Sequence, residues 1–266
     1  MTRAQEMWGA VYPDVAQEVE ERLPELIKQA NHRWGALRWP ADAIPPGGVR
    51  PENAVYTSED AGEIRHMFVV LTGRTIGPSR IGSAYPFVPH GTALDVEIGE
   101  LHPREIGIEG EVSARYAGTE IRFFEPLWGI KRARYKPGSV QRVRFAAFGS
   151  SLKVSAADKV PVAGPATAPR GRRAPPSAPA LAPSVMIPIG PGPGSRYGMH
   201  APIVEWRGFW VGERLYYALK LRLAEGEGKD FAVDLYAGRH CFSGPFSPAP
   251  GLALSGVIWL HGTLAD

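Results

Sequence analysis

Apolar and polar positions repeat with two different periods along this chain. Val15, Val19, Leu23, Ile27 and Ala30 fall at near-helical spacing, with Glu18, Glu20, Glu21 and Glu25 on the other side. Tyr12-Pro13-Asp14 places a proline and an acid where a helix begins, so the pattern predicts a helix that Pro24 kinks or splits. Arg38 to Pro51, with Pro40, Pro45-Pro46 and Gly47-Gly48, reads as loop.

From residue 63 onward the period is two. Ile64, His66, Phe68 and Val70 share one face of a strand and Met67, Val69 and Leu71 the other, which predicts burial on both sides. Leu94, Val96 and Ile98 alternate with Asp95 and Glu97, a half-exposed strand, and Arg74–Gly91 between them reads as loop. Ile106, Ile108, Gly110, Val112 and Ala114 face one way, and Ile121 and Phe123 return on the same side; Glu120, Arg122 and Phe124 point outward. Matching the faces sets Val112 opposite Phe123 and Arg115 opposite Glu120, with a four-residue loop, since a one-residue slip would bury Arg122. Tyr135-Lys136-Pro137-Gly138 then turns into a strand over Val140–Phe148.

Residues 155–197 carry ten prolines among alanine, glycine and arginine, and are expected to form an extended tether, with Val185–Ile189 able to pack as a short strap. Beyond it, Leu215–Leu223, Phe231–Leu235 and Leu252–Leu264 read as strands. The fold class expected is mainly β: two small antiparallel barrel- or sandwich-like modules with an N-terminal helix. The modules span 1–154 and 198–266, and the second, with a thin core of its own, should pack on the first or dimerise.

The run Ile108-Glu109-Gly110-Glu111-Val112, the hairpin after it and the Pro137-Gly138 turn into a further strand resemble OB-fold proteins over about 106–150. Pro250-Gly251, also ahead of an aliphatic–aromatic strand, echoes the same arrangement. The resemblance implies a small barrel and fixes no function.

Composition adds compartment and charge. Arginine outnumbers lysine 23 to 7, as expected of a GC-rich bacterial genome. The N-terminal residues have no signal-peptide pattern and no apolar run approaches a membrane span, so a soluble cytoplasmic protein without membrane contact is expected. One cysteine, Cys241, excludes an internal disulfide. Residues 1–125 hold 12 Lys+Arg against 19 Asp+Glu, whereas residues 126–204 hold 12 against 1. That basic block can attract a polyanion, dock on the acidic first segment, or simply keep the tether solvated.

Arg115, Arg122, Phe124, Trp128, Lys131, Arg132, Arg134, Tyr135, Arg142 and Arg144 combine cations with aromatics on outward positions or in one loop. Such a set suits single-stranded nucleic acid, or else its aromatics close a barrel end. Trp206, Phe209, Trp210, Tyr216 and Trp259 form a second aromatic concentration, which is domain core unless part of it is exposed as a protein-binding patch. His90, Asp95, Glu97 and His102 are the densest group of metal-ligand types, without the spacing of a zinc motif. His66 reads as a hydrogen-bonded core histidine, and His240-Cys241 as strand neighbours on opposite faces. No cofactor signature is present. The expectation is a non-enzymatic binding or assembly protein whose partner is another protein or a second copy; single-stranded nucleic-acid binding through 115–144 is the alternative, and a hydrolase with an unfamiliar site the third.

Overall fold

The computed structural model describes residues 7–38, 52–73, 80–104, 107–155, 183–190, 194–225 and 228–265. After a buried segment containing Trp8 and Val11 comes a π-helical turn, Ala16–Glu20, and then helix α1, Leu23–Gln29. Pro24 stands in the first turn of α1, where its missing N–H costs nothing, so the helix expected from the 3.6 period is split there.

Strands β1 (His32–Arg38), β2 (Asn53–Ala61), β3 (Ile64–Thr72) and β4 (Arg80–Phe87) form an antiparallel sheet in that order. The expected loop at Arg38–Pro51 lies outside the described residues except for Arg38. β3 matches expectation, but β1, β2 and β4 were not legible. Gly82 and Pro86 made β4 look like loop. Proline is tolerated there because β4 is the sheet's edge, and Gly82 packs closely, since a Cβ would meet Ile108 and Leu71 side chains at 2.8 and 3.0 Å.

The remaining strands make one nine-stranded assembly: β5 (Thr92–Pro103), β6 (Gly110–Tyr116), β7 (Thr119–Glu125), β8 (Val140–Val154), β9 (Val185–Pro188), β10 (Arg196–Val211), β11 (Arg214–Ala224), β12 (Phe231–Gly238) and β13 (Ala253–Leu264). A short helix, α2 (Trp128–Lys131), joins β7 to β8. Pairing closes two rings. The first runs β5-β6-β7-β13-β8 and back to β5; the second runs β8-β12-β11-β10-β13 and back to β8. Each ring is a three-strand meander plus β8 and β13, which pair antiparallel with each other. In each unit the long strand pairs antiparallel with the first strand of its own meander and lies parallel to the third strand of the other. The Pro137-Gly138 and Pro250-Gly251 turns, with glycine φ of 78° and 84°, enter the two equivalent long strands.

The mainly β class holds, while the boundary expected between two modules does not separate two cores. Strands from both sides of residues 155–197 share each ring, β13 in the first and β8 in the second, and buried side chains from 7 to 264 form one cluster. The end of the expected tether is strand: β9 pairs with Tyr197–His200, and β10 begins at Arg196. The hairpin register is as read, with Val112 opposite Phe123 and Arg115 opposite Glu120. Ala117 and Gly118, both at positive φ, make the two-residue turn.

Two buried tyrosines fasten the four-stranded sheet to the first ring. The Tyr56 hydroxyl donates to the Ile108 carbonyl at 2.6 Å and accepts from the Gly129 amide at 3.0 Å; the Tyr85 hydroxyl donates to Pro126. Replacing Tyr56 by phenylalanine strips two buried backbone groups of a partner. Denaturant unfolding of Tyr56→Phe is expected to show a loss of roughly 1–3 kcal/mol with an unchanged m-value.

Candidate binding surfaces

The arginine-rich set predicted to bind nucleic acid does not form one surface. Phe124, Trp128, Tyr135 and Lys131 are buried. β7 loses its outer face near Phe124 because β4 lies over it, with Tyr85 edge-on at 5.0 Å. A Cβ at Gly110 would fall inside the Trp128 indole, so that ring is packed on β6 rather than offered to a base. The cations that reach solvent, fully or in part, spread over different strands. Arg142 faces Asp95 at 3.6 Å, and Arg115 lies between Glu97 at 3.8 Å and Glu120 at 3.4 Å. Arg132 and Arg134 sit in the turn after α2, and Arg144 on β8. Glu111 is buried too: it accepts from Arg104 at 2.6 Å and from the Ser195 hydroxyl at 3.0 Å.

His90, Asp95, Glu97 and His102 are likewise dispersed. His90 is an exposed loop residue, Asp95 and Glu97 pair with the arginines above, and His102 turns to Ser113 and Arg122. Among the described residues no three such groups converge as a metal site. His240 and Cys241 stand in a 3-10 turn rather than on a strand. His240 Nε2 meets the Gly9 carbonyl at 3.0 Å, and burial pushes the Cys241 thiol up to about 12, far from a thiolate at neutral pH. His66 is a buried, bonded histidine, held by Glu59 and Tyr12 at 2.7 Å each.

Two surface features stand out. The first is a groove of about 490 Å³ over β5, β6 and β7, walled by Pro188, Gly194 and Tyr197. β5 bulges between Ile98 and Leu101, where it lines the groove. At its side Arg122 and Ser113 converge on one nitrogen of His102, 2.7 and 2.9 Å away. A guanidinium can only donate, so His102 Nε2 accepts and the ring is neutral. Burial and then the Arg122 charge hold its pKa below the usual histidine range. Removing that charge in Arg122→Gln is expected to raise the His102 pKa, as followed by NMR titration of its ring protons.

The second feature is β10 beyond Pro202. β13 covers one side of β10 as far as Pro202, and Ile203 bonds Gly251 and Leu252. From Glu205 to Val211 the strand pairs only with β11, and its other edge makes no backbone hydrogen bond among the described residues. Trp206, Gly208 and Trp210 lie on one face of this ribbon, opposite Leu219, Tyr217 and Leu215. Trp206 is 45% and Trp210 67% exposed. The other face is fastened down: Arg207 pairs with Glu63, Arg214 with Glu18, and Phe209 stacks on Tyr216 at 5.7 Å. Of the second aromatic concentration, then, Tyr216 and Trp259 are core, Phe209 is half-buried, and the two remaining tryptophans are exposed.

A buried polar cluster lies between the rings and α2. Glu125 is fully buried; its carboxylate accepts from the Leu127 amide at 2.8 Å and from the Tyr135 hydroxyl, while Lys131 Nζ donates to the Leu264 carbonyl at 2.7 Å. Burial outweighs these bonds and pushes the Glu125 pKa up to about 7. His261 on β13 stacks on Phe148 at 5.2 Å, and burial pushes it down to about 4.

Comparisons with protein-family models, with curated proteins and with solved structures return no match. No helix among the described residues is long and apolar enough to cross a membrane.

Opposite pH dependences follow from the buried pair. Between 4.5 and 7 the folded chain keeps a proton on Glu125 that the unfolded chain has released, so this group's stabilisation falls as pH rises. Between 4 and 6.5 the unfolded chain protonates His261 and the folded chain does not, so its contribution rises with pH. Relative to wild type, stability of Glu125→Gln should therefore climb with pH from 4.5 to 7, and that of His261→Phe should fall from 4 to 6.5, measured by urea unfolding across pH.

Proposed function

We propose that this chain is a non-enzymatic binding and assembly protein that docks another polypeptide along Glu205–Val211 of β10. The observation that carries the reading is the pair of exposed tryptophans on an open strand edge. Proteins usually blunt such edges with proline, lysine or a covering loop, because the unpaired backbone groups recruit further strands. Here the stretch has no proline and no lysine, and its one arginine is turned to Glu63. Edge pairing supplies affinity through main-chain hydrogen bonds, and alternate side chains supply selectivity. Trp206 and Trp210 are the alternate side chains, and tryptophan is prominent among residues that dominate protein interfaces.

The test is site-specific photocrosslinking in the cells that make the protein. A benzophenone amino acid at position 210 should yield a discrete protein adduct, and the same group at Val140, also exposed, should not. Equal patterns at the two positions would remove the reading.

One observation favours a second, nucleic-acid reading. In chain order the first ring pairs as strands 1-2-3-5-4, with strands 3 and 5 parallel. OB-fold barrels share that order and bind oligonucleotides on the face of their second and third strands. The groove over β6 and β7 lies on the corresponding face. Glu97, Glu100 and Glu120 share its lining, so phosphate contacts would be confined to Arg115 and Arg122. With two contacts, log K against log salt should have a slope of about −1.4 for a single strand. A fluorescence titration with an oligonucleotide that shows no binding at low salt removes this reading.

A further inference from the structure

We propose that the occupant of the β10 edge is a second copy of this chain, paired antiparallel with Gly208 on the two-fold axis. The inference rests on the docking reading above and adds the partner and the register.

The open stretch fixes the register. Pairing can begin only at Glu205, because β13 and the Gly251-Leu252 backbone occupy the same side of β10 up to Ile203. It ends at Val211, where the chain turns through Gly212 at φ 58°. The midpoint of Glu205–Val211 is Gly208. An antiparallel pairing that uses the whole open edge must therefore place residue 208 against its own copy, 206 against 210 and 207 against 209. Residues directly opposite point to the same face of the extended sheet. Trp206 of each protomer then meets Trp210 of the other, twice, so both exposed indoles of each chain gain an aromatic partner. Arg207, already 5.7 Å from the Phe209 ring of its own strand, faces a second Phe209 on the other side of the sheet.

Gly208 is not explained by its own protomer. It lacks a positive φ, and a Cβ there would make only ordinary contacts, 3.5 Å from Leu215 and 3.8 Å from the Tyr216 carbonyl. What the missing side chain does leave is a clear floor between the two indoles, which the crossed tryptophan pairs would fill. The area is compatible as well. Full burial of a tryptophan covers about 150–250 Å², so the exposed fractions amount to roughly 350–550 Å² over two protomers. A specific interface needs about 1,000 Å², and the paired backbone, with half-buried Leu215 opposite Trp210 and Phe246 packed on Tyr217, supplies further surface.

Sedimentation equilibrium of the full chain is expected to give twice 28.9 kDa at tens of micromolar, and Trp206→Ala/Trp210→Ala to give 28.9 kDa with an unchanged circular dichroism spectrum. Gly208→Cys should form a disulfide-linked dimer under mild oxidation, because directly opposed residues of antiparallel strands lie about 4.5–5.5 Å apart at Cα, within disulfide reach. Buried Cys241 should not cross-link in the wild type. Hydrogen exchange supplies a readout without mutation: amides of 205–211 should gain protection as wild-type concentration rises. A wild type that remains monomeric at hundreds of micromolar, with those amides unprotected, overturns the second-copy inference. Cross-linking through Trp206→Cys in place of Gly208→Cys overturns the register. A position-210 adduct to a different protein, with a monomeric wild type, would sink this inference while upholding the docking reading.

Discussion

Neither ring closes without the antiparallel contact between β8 and β13, since each of these strands supplies a wall to both. A ring of five strands has no edge only while every neighbour is present. Breaking the β8–β13 ladder would open two barrels at once and separate the first meander from the second. The register of that ladder is correspondingly restricted. Gly262 packs where a Cβ would fall 2.8 Å from Phe123 and 3.0 Å from Val143, and a Cβ at Gly149 would fall 3.0 Å from Leu235. A slip by one residue would exchange the faces of a strand that walls two rings. Residues distant in sequence must therefore meet before the shared core is dry, which makes the fold rich in non-local contacts and, by that argument, slow to form.

How much of this was visible beforehand depended on whether the information was local. The register of the β6–β7 hairpin is legible because its alternation and the penalty for burying Arg122 act within a few positions, although the turn is two residues where a four-residue loop is expected. Pro24 and the Pro137-Gly138 turn were legible for the same reason. β4 was not: Pro86 signals a loop unless the strand is known to be an edge, and edge status is a property of the whole sheet. The sharing of β8 and β13 was equally invisible. Alternation reports which face of a strand is buried, never which strand lies beside it, so two meanders separated by a proline-rich stretch looked like two modules.

The outer face of β7 shows the same limit in the candidate site. Arg122 and Phe124 occupy equivalent outward positions on one strand, yet Arg122 borders a groove and Phe124 is covered by Tyr85. The basic block leaves three readings open in the sequence: a field for a polyanion, a dock for the acidic first segment, or a solvated tether. Within it Arg142 meets Asp95 of the first segment, and beyond it Arg207 meets Glu63 and Arg214 meets Glu18. Charge segregated along a sequence does not imply charge segregated in space. Here acids of the first segment lie beside arginines of later strands and meet them as ion pairs at close range.

That inward neutralisation gives the β10 ribbon its particular character. Arg207 and Arg214 anchor one face of it to the β2–β3 turn and to the N-terminal segment, so the ribbon is held rather than loose beyond the end of β13. The other face is then free of charge and carries Trp206 and Trp210. A loose hairpin could cover its indoles by folding back, whereas one fixed on its polar side cannot. The ion pairs stand behind these two side chains, and a ribbon held this way would lose little conformational entropy in the docking proposed above. On that proposal, weakening Arg207–Glu63 would act more through lost rigidity than through the small energy of a partly exposed ion pair.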